Sequence, residues 1–127
     1  MPATTRILNN DTPMDIKEFC GEGYAPVVSY NGWRVAIANY CDRLREENII
    51  RVERHLETDE VFLLLSGEAV LHIGKALTPY PLEPGKIYTV ERGEWHCITM
   101  KPGAKVAIVE NDDTSSVNTE NYFFEKG

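Results

Sequence analysis

The fold of this chain is decided by residues 54–67, RHLETDEVFLLLSG, where a polar cluster runs into an apolar segment that stops at a glycine. The polar part contains His55 and Glu60, and the apolar part has the length of a β-strand. A second histidine, His96, closes the segment Gly93-Glu94-Trp95-His96. Imidazole with carboxylate suits Zn, Mn, Fe or Ni, and it also suits acid–base chemistry near neutral pH. These two segments are therefore the first candidates for a functional site.

The composition indicates one globular domain, with 127 residues, 43% of them apolar, and a net charge of -7. Nucleic acids and anionic membranes need a basic patch, so this acidic chain is expected to bind neither. The longest apolar run, Val61–Leu65, is too short to span a membrane, and residues 1–6 lack the apolar core of a signal peptide. Cys20, Cys41 and Cys97 show no CxxC spacing. They predict free thiols in a reducing cytoplasm.

Turn signals divide most of the chain into short segments typical of β-strands. Between two of them, Asn31-Gly32 predicts a two-residue hairpin. Residues 79–85, rich in proline, predict an extended linker, and residues 14–20 predict one short helix capped by Thr12 with Pro13 at its first position. The predicted strands are Pro26–Tyr30, Trp33–Cys41, Ile49–His55, Val61–Ser66, Ala69–Ile73, Lys86–Val90, His96–Met100 and Lys105–Glu110, with a further one at Tyr122–Phe124. Many short strands with frequent turns indicate an all-β sandwich or a small barrel.

Strand alternation places Arg51, Glu53 and His55 on one face of their predicted strand. Polar groups that face an apolar interior are costly unless they are paired, protonated or bound to a metal. Arg51 has two readings, which stay open at this point. It is either a clamp for a substrate carboxylate or phosphate, or an ion-pair partner of Glu53.

The same alternation predicts the walls of a pocket. If Glu60 and His96 point inward, Phe62 and Ile98 point inward with them. Tyr88 is a further candidate for the pocket wall. An apolar pocket with a few polar groups at one end is the usual form of a small-molecule site.

The spacing of these residues resembles the two motifs of the cupin superfamily, G-x5-H-x-H-x3,4-E-x6-G and G-x5-P-x-G-x2-H-x3-N. The residues that fit the first motif are Glu53, His55, Glu60 and Gly67. The residues that fit the second motif are Gly85, Gly93 and His96. Glu53 stands where cupins usually have their first metal-binding histidine. Glu47, Glu91 and Met100 replace a glycine, a proline and an asparagine that we interpret as structural.

The resemblance implies a cupin-type double-stranded β-helix, or jelly-roll barrel, in a single domain over residues 1–127. The barrel core is expected over about residues 33–110, with an N-terminal extension at 1–30 and a C-terminal tail at 111–127. It also implies a homodimer, since exposed strand edges need to be covered.

Carried over by position, the resemblance implies a divalent transition metal, Zn, Mn, Fe or Ni, held by Glu53, His55, Glu60 and His96. Glu53 is either a ligand or a base, and Glu53 and Glu60 are the candidate catalytic residues. The alternative is a metal-free pocket in which the same histidines and Glu60 form a polar floor or act as acid and base. Asp59 could replace Glu60 as a ligand, although aspartate more often serves turns. His72 is expected to be a satisfied structural histidine rather than a ligand.

The first hypothesis for the function is an enzyme that acts on a small organic acid or a sugar-like substrate, as a dioxygenase, isomerase or lyase. The second is a binding or sensor protein that holds a small ligand without turnover, with or without metal. The third is a structural dimer whose pocket is vestigial. Fold alone does not choose among these activities.

Overall fold

A computed structural model of the chain describes residues 14–125 and the backbone of residues 6–7. Within these residues the secondary structure is almost entirely β. The strands are β1 (Arg6–Ile7), β2 (Lys17–Glu18), β3 (Gly23–Tyr30), β4 (Trp33–Asn39), β5 (Arg51–His55), β6 (Glu60–Ser66), β7 (Ala69–Ile73), β8 (Thr78–Pro81), β9 (Tyr88–Val90), β10 (His96–Met100), β11 (Lys105–Asn111) and β12 (Thr119–Phe123). The short 3-10 helices are η1 (Asp42–Leu44), η2 (Glu46–Asn48) and η3 (Ser116–Asn118).

Two five-stranded antiparallel sheets form the barrel. One sheet has the order β12-β5-β10-β7-β8, and the other has the order β3-β4-β11-β6-β9. Strands β1 and β2 form a separate two-stranded ribbon. From β4 to β12 the chain crosses from one sheet to the other at every step except from β7 to β8, as in a jelly roll, so the predicted all-β barrel is confirmed.

The Asn31-Gly32 turn forms as predicted. It joins β3 to β4 with Tyr30 paired to Trp33 across the turn. Asn31 has a φ of 43° and Gly32 a φ of 104°. A two-residue hairpin turn of type I′ needs positive φ at both central positions, and asparagine and glycine are the residues that tolerate it best.

The short helix predicted over residues 14–20 is wrong. Lys17–Glu18 instead forms β2 and pairs with Arg6–Ile7. Phe19, next in the chain, is buried. A seven-residue helix is marginal by itself, so strand pairing and the burial of one phenylalanine outweigh the turn signals. The proposed cap residues Thr12 and Pro13 lie outside the described residues. No helix in the described part of the chain is long and apolar enough to cross a membrane.

The linker predicted over residues 79–85 contains part of a strand. β8 (Thr78–Pro81) pairs with β7 at the edge of its sheet. An edge strand needs hydrogen bonds on one side only, so prolines are tolerated there. Strands also extend the barrel beyond residues 33–110, because β3 pairs with β4, and β12 pairs with β5.

The core lies between the two sheets and consists of inward-facing side chains. Its central members are Ala36, Ala38, Phe62, Leu64, Leu71, Val90, Met100, Val106 and Ile108. On β6 and β11 the inward positions alternate regularly, and the last inward position toward one end of the barrel is a glutamate on each strand, Glu60 and Glu110. The alternation that builds the core therefore carries polar groups into the interior at that end.

Gly67, which ends the first motif, is required by its surroundings. Its φ is +72°, and a Cβ placed there would lie 2.6 Å from Cα of Ala104 and 2.8 Å from its backbone nitrogen. Gly85 has a φ of +83°, but a Cβ there would meet no described atom within 4 Å. The two glycines thus share the backbone constraint and differ in the space available.

We expect Gly67→Ala to lower the free energy of unfolding by about 3 kcal/mol or more, since it adds a backbone clash to the cost of positive φ. Gly85→Ala, the matched control, should cost only about 1–2 kcal/mol, the backbone term alone. Urea denaturation of both variants measures the difference. Equal losses of unfolding free energy in the two variants would show that the close approach of Ala104 does not destabilise Gly67→Ala.

Candidate functional site

The candidate site lies where the two sheets face each other at one end of the barrel. From one sheet come Glu53 and His55 on β5 and His96 on β10, with His96 directly opposite Glu53 in the strand register. From the other sheet comes Glu60 on β6. His55, Glu60 and His96 are all buried, with 7%, 6% and 3% of their surface exposed. The structure thus brings together the four residues that the two motifs indicate as candidate metal ligands.

The carboxylate of Glu60 lies at the centre of this group. Its Oε1 is 2.8 Å from Nε2 of His96 and 3.2 Å from Nε2 of His55. Oε2 of Glu53 lies 3.8 Å from the same nitrogen of His55. Both imidazoles therefore turn Nε2 toward the carboxylates, which is an arrangement of convergent donor atoms.

The other ring nitrogens hold the imidazoles in place. Nδ1 of His55 is 2.9 Å from Oγ1 of Thr119, and Nδ1 of His96 is 3.1 Å from the carbonyl oxygen of Glu94. A carbonyl oxygen only accepts, so Nδ1 of His96 carries a proton. Its Nε2 then faces the Glu60 carboxylate as part of an imidazolium, or the two atoms share a cation. Outer hydrogen bonds of this kind orient the histidine ligands of metal sites.

Nε2 of His55 is buried and has no hydrogen-bond partner among the described residues. Its 3.2 Å contact with Glu60 is not aligned as a hydrogen bond. A buried polar atom without a partner is costly, and native structures rarely retain one without a reason. Two overlapping groups of donor atoms meet at this residue: Glu53, His55 and His96, and also His55, Glu60 and Glu110. The residues present therefore fit a bound cation.

The charges in the site stabilise one another. Burial by itself raises the pKa of Glu60, but its close contacts with the imidazoles of His55 and His96 and the charge of His96 outweigh burial and lower that pKa far below its usual range. Burial by itself lowers the pKa of each imidazole, but the Glu60 carboxylate outweighs it and raises both. Without a cation, these shifts favour an ion pair between the Glu60 carboxylate and imidazolium.

Glu110 is a site residue that sequence reasoning missed. It is 5% exposed, and its Oε2 accepts hydrogen bonds from Arg34 at 3.0 and 3.1 Å and from the hydroxyl of Tyr24. Burial and the neighbouring Glu60 carboxylate raise its pKa. Strand alternation could have predicted this position. Val106, Ile108 and Glu110 occupy every second position of one strand, so their side chains face the interior together.

Arg51 forms an ion pair with Glu53. Its guanidinium nitrogen lies 3.1 Å from Oε1 of Glu53 and 2.8 Å from Oδ1 of Asn121. Glu53 keeps a third of its side chain exposed, so this pair is partly solvated. The arrangement supports the ion-pair reading of Arg51 and leaves Oε2 of Glu53 directed toward His55.

A cavity of about 480 Å³ opens above these residues. Phe62, Ile98 and Arg51 line it, as expected from the sequence. Tyr88 lies elsewhere, where its hydroxyl accepts a hydrogen bond from the backbone of Glu83 at 3.0 Å and its ring packs against the core. Further lining comes from residues the sequence did not nominate: Tyr24, Arg34, Arg43, Glu110, Ser115, Thr119 and Asn121.

Hydrogen bonds or burial account for three other residues whose side chains could be reactive. His72 is buried and its Nε2 lies 2.8 Å from the hydroxyl of Thr99. Asp59 accepts a hydrogen bond from the backbone nitrogen of Arg92 at 2.8 Å, so it serves a turn. Burial raises the pKa of the Cys97 thiol to about 11, and a thiol in that state is a poor nucleophile.

Comparison with known proteins identifies the fold. No protein-family model and no curated protein matches the sequence. Among solved structures, Streptomyces Pac13 with uridine superposes with a TM-score of 0.63 and 9% identity, over 81% of this chain and 78% of that one. A cupin-2 domain protein from Shewanella frigidimarina gives 0.56 and 20%, over 72% and 84%. KdgF from Halomonas gives 0.56 and 11%, over 74% and 81%. The chain therefore has the cupin fold that its two motifs predict.

Proposed function

We propose that the barrel holds a divalent metal ion between His55, His96, Glu60 and Glu53 and that it acts on a small organic molecule in the cavity above them. The observation that carries this proposal is Nε2 of His55, a buried ligand-type atom that no described residue satisfies and that faces two carboxylates. A cation at this point would give Nε2 of His55 a partner and would reduce the repulsion between the two carboxylates.

The donor set suits Zn, Mn, Fe(II) or Ni. Two imidazoles suit Zn, Fe and Ni, and the two carboxylates add hard oxygen atoms that favour Mn and Fe(II) over Cu(I). Once bound, such an ion polarises a carbonyl oxygen or lowers the pKa of a bound water. Glu60 contacts both imidazoles, while the partly exposed Glu53 borders the cavity, where it serves either as a further ligand or as a base for a bound substrate.

The cavity suits a small polar molecule such as an organic acid or a sugar derivative. Its volume of about 480 Å³ lies within the range of small-molecule sites. Phe62 and Ile98 supply an apolar wall, and Tyr24 and Asn121 supply hydrogen-bonding groups. The structurally similar Pac13 is a nucleoside dehydratase, and one of its structures contains uridine, so a barrel of this fold can hold a small polar molecule. The homodimer and the cytoplasmic location expected from the sequence stay predictions.

A second candidate is a metal-free small-molecule-binding barrel. The direct 2.8 Å contact between Glu60 and His96 favours it, because this pair satisfies both groups without a cation. Glu110, whose pKa is raised by burial and by the Glu60 carboxylate, adds a second carboxyl group beside the pair. In this candidate the same residues bind a ligand without turnover, or exchange protons with it.

Metal analysis separates the two candidates. After incubation with Zn, Mn, Fe(II) or Ni and desalting, the wild-type protein should retain about one equivalent of one of these metals, measured by plasma mass spectrometry. His55→Gln and His96→Gln should weaken binding at least about 100-fold in calorimetry, because each removes a ligand nitrogen.

His72→Gln is the matched control. It alters the third histidine, which is equally buried but hydrogen-bonded to Thr99 and outside the cavity. This variant should bind metal as the wild type does, even if its unfolding temperature falls. Metal binding that survives both His55→Gln and His96→Gln would rule out the proposed centre and leave the metal-free candidate.

The pH dependence of stability in the metal-free protein follows from the ion pair. The raised pKa of His96 means that its contribution is complete below the ordinary value of 6.5 and is lost as the pH rises through the raised pKa. The lowered pKa of Glu60 means that its contribution is complete above 4.5 and is lost as the pH falls through the lowered pKa. The pair therefore stabilises the fold most between pH 4.5 and 6.5.

We expect the stability lost in Glu60→Gln to be largest in this window and to shrink as the pH rises above it. Urea unfolding of metal-free protein across pH 4 to 9, in both forms, measures the loss. Glu57→Gln, an exposed glutamate three positions earlier, should show no such profile. A loss that is constant across the window would mean that the imidazoles are neutral when the metal is absent.

A further inference from the structure

Three arginines line the cavity, and two of them already hold carboxylates. Arg34 binds Glu110 at 3.0 Å, and Arg51 binds Glu53 at 3.1 Å. Arg43 forms no ion pair and no hydrogen bond through its side chain with any residue of the 14–125 region, yet it lines the same cavity. Arg43 is exposed, and of the three arginines that line this cavity it is the one without a carboxylate partner among the described residues.

The backbone around Arg43 is fixed, although its guanidinium has no partner. Arg43 lies in η1, where Leu44 packs against the hydrophobic core and donates its backbone nitrogen to the carbonyl of Cys41 at 2.9 Å. The side-chain amide of Asn48 donates to the carbonyl of Asp42 at 2.7 Å. The segment is thus anchored from both sides, which limits the region that the arginine side chain can reach.

The nearest acidic neighbour of Arg43 in the sequence is engaged elsewhere. The carboxylate of Asp42 accepts a hydrogen bond from the hydroxyl of Tyr40 at 3.1 Å. The Arg43 side chain instead extends to β3, where its terminal nitrogen would lie 3.8 Å from a Cβ placed on Gly23. Arg43 therefore reaches across one side of the cavity instead of folding back on its own helix.

Arg43 also lies where two cavities meet. A smaller cavity of about 150 Å³ adjoins the first. The residues that line both are Arg43, Leu44, Arg51, Glu53, Cys97 and Ile98. Among the charged members of this shared lining, Arg51 and Glu53 neutralise each other. Arg43 is left as the uncompensated charge of the junction.

We propose that Arg43 determines specificity by binding an anionic group, a carboxylate or a phosphate, on the small molecule that the cavity holds. This inference rests on the proposed function only in taking the cavity as the ligand site. Guanidinium binds both groups through paired, charge-assisted hydrogen bonds. The substrate class is therefore a small anionic molecule whose remaining part extends toward Glu53 and His55, and a neutral sugar is excluded from it.

Three compounds that share one skeleton test this assignment: glycerol 3-phosphate, glycerate and glycerol. Binding to the protein, with and without added metal, is followed by calorimetry and by amide chemical shifts in NMR spectra. At least one of the two anions should bind about ten-fold or more tightly than glycerol, and the tighter of the two identifies phosphate or carboxylate as the preferred group. Arg43→Gln should remove that preference.

Arg45→Gln is the matched control. Like Arg43, Arg45 is exposed, but it pairs with Glu47 at 2.8 Å and lines neither of the two adjoining cavities, so this variant should bind the anions as the wild type does. Metal content is measured on the same samples and should be unchanged in Arg43→Gln. Equal binding of all three compounds, no binding of any, or anion binding that survives Arg43→Gln overturns the assignment of Arg43. If the proposed metal centre is wrong, the wild-type protein will contain no metal, and the metal analysis shows this independently of the anion binding.

Discussion

The contact between the Glu60 carboxylate and the imidazoles of His55 and His96 is the interaction on which the site depends. Glu60 comes from one sheet and the histidines from the other, so the contact joins the two halves of the barrel in its interior. A buried carboxylate is stable only with compensating charge or hydrogen bonds. This requirement explains why both imidazoles turn the same nitrogen inward and why their outer nitrogens are held by Thr119 and by the carbonyl of Glu94.

The other charges around the cavity are paired in a way that leaves two groups unused. Arg34 holds Glu110, and Arg51 holds Glu53. What remains is Nε2 of His55 at the floor of the cavity and the guanidinium of Arg43 at its side. One is a ligand for a cation and the other is a ligand for an anion. These two groups are the basis of the proposed site for a metal ion and an anionic small molecule.

Much of the barrel could be predicted from the sequence, because alternation and turn chemistry are local signals. Asn31-Gly32 marked its hairpin, and the first motif located β5 and β6. The failures came where pairing partners decide the structure. Lys17–Glu18 becomes a strand because Arg6–Ile7 pairs with it, and Thr78–Pro81 becomes one because it needs hydrogen bonds on one side only. Neither condition can be read from the segment itself.

The candidate site was predictable in its centre and less so in its surroundings. Glu53, His55, Glu60 and His96 follow from motif spacing and lie together, whereas Arg43 and Tyr24 reach the cavity from η1 and β3, which no motif includes. Whether that centre holds a metal is tested most directly by anomalous diffraction at the metal edges, on crystals of the metal-loaded protein. We predict a peak roughly 2.0–2.3 Å from Nε2 of His55, with His96 and glutamate oxygens completing the coordination. A site without such a peak, with Nε2 of His55 hydrogen-bonded to Glu60 or to water instead, would contradict it.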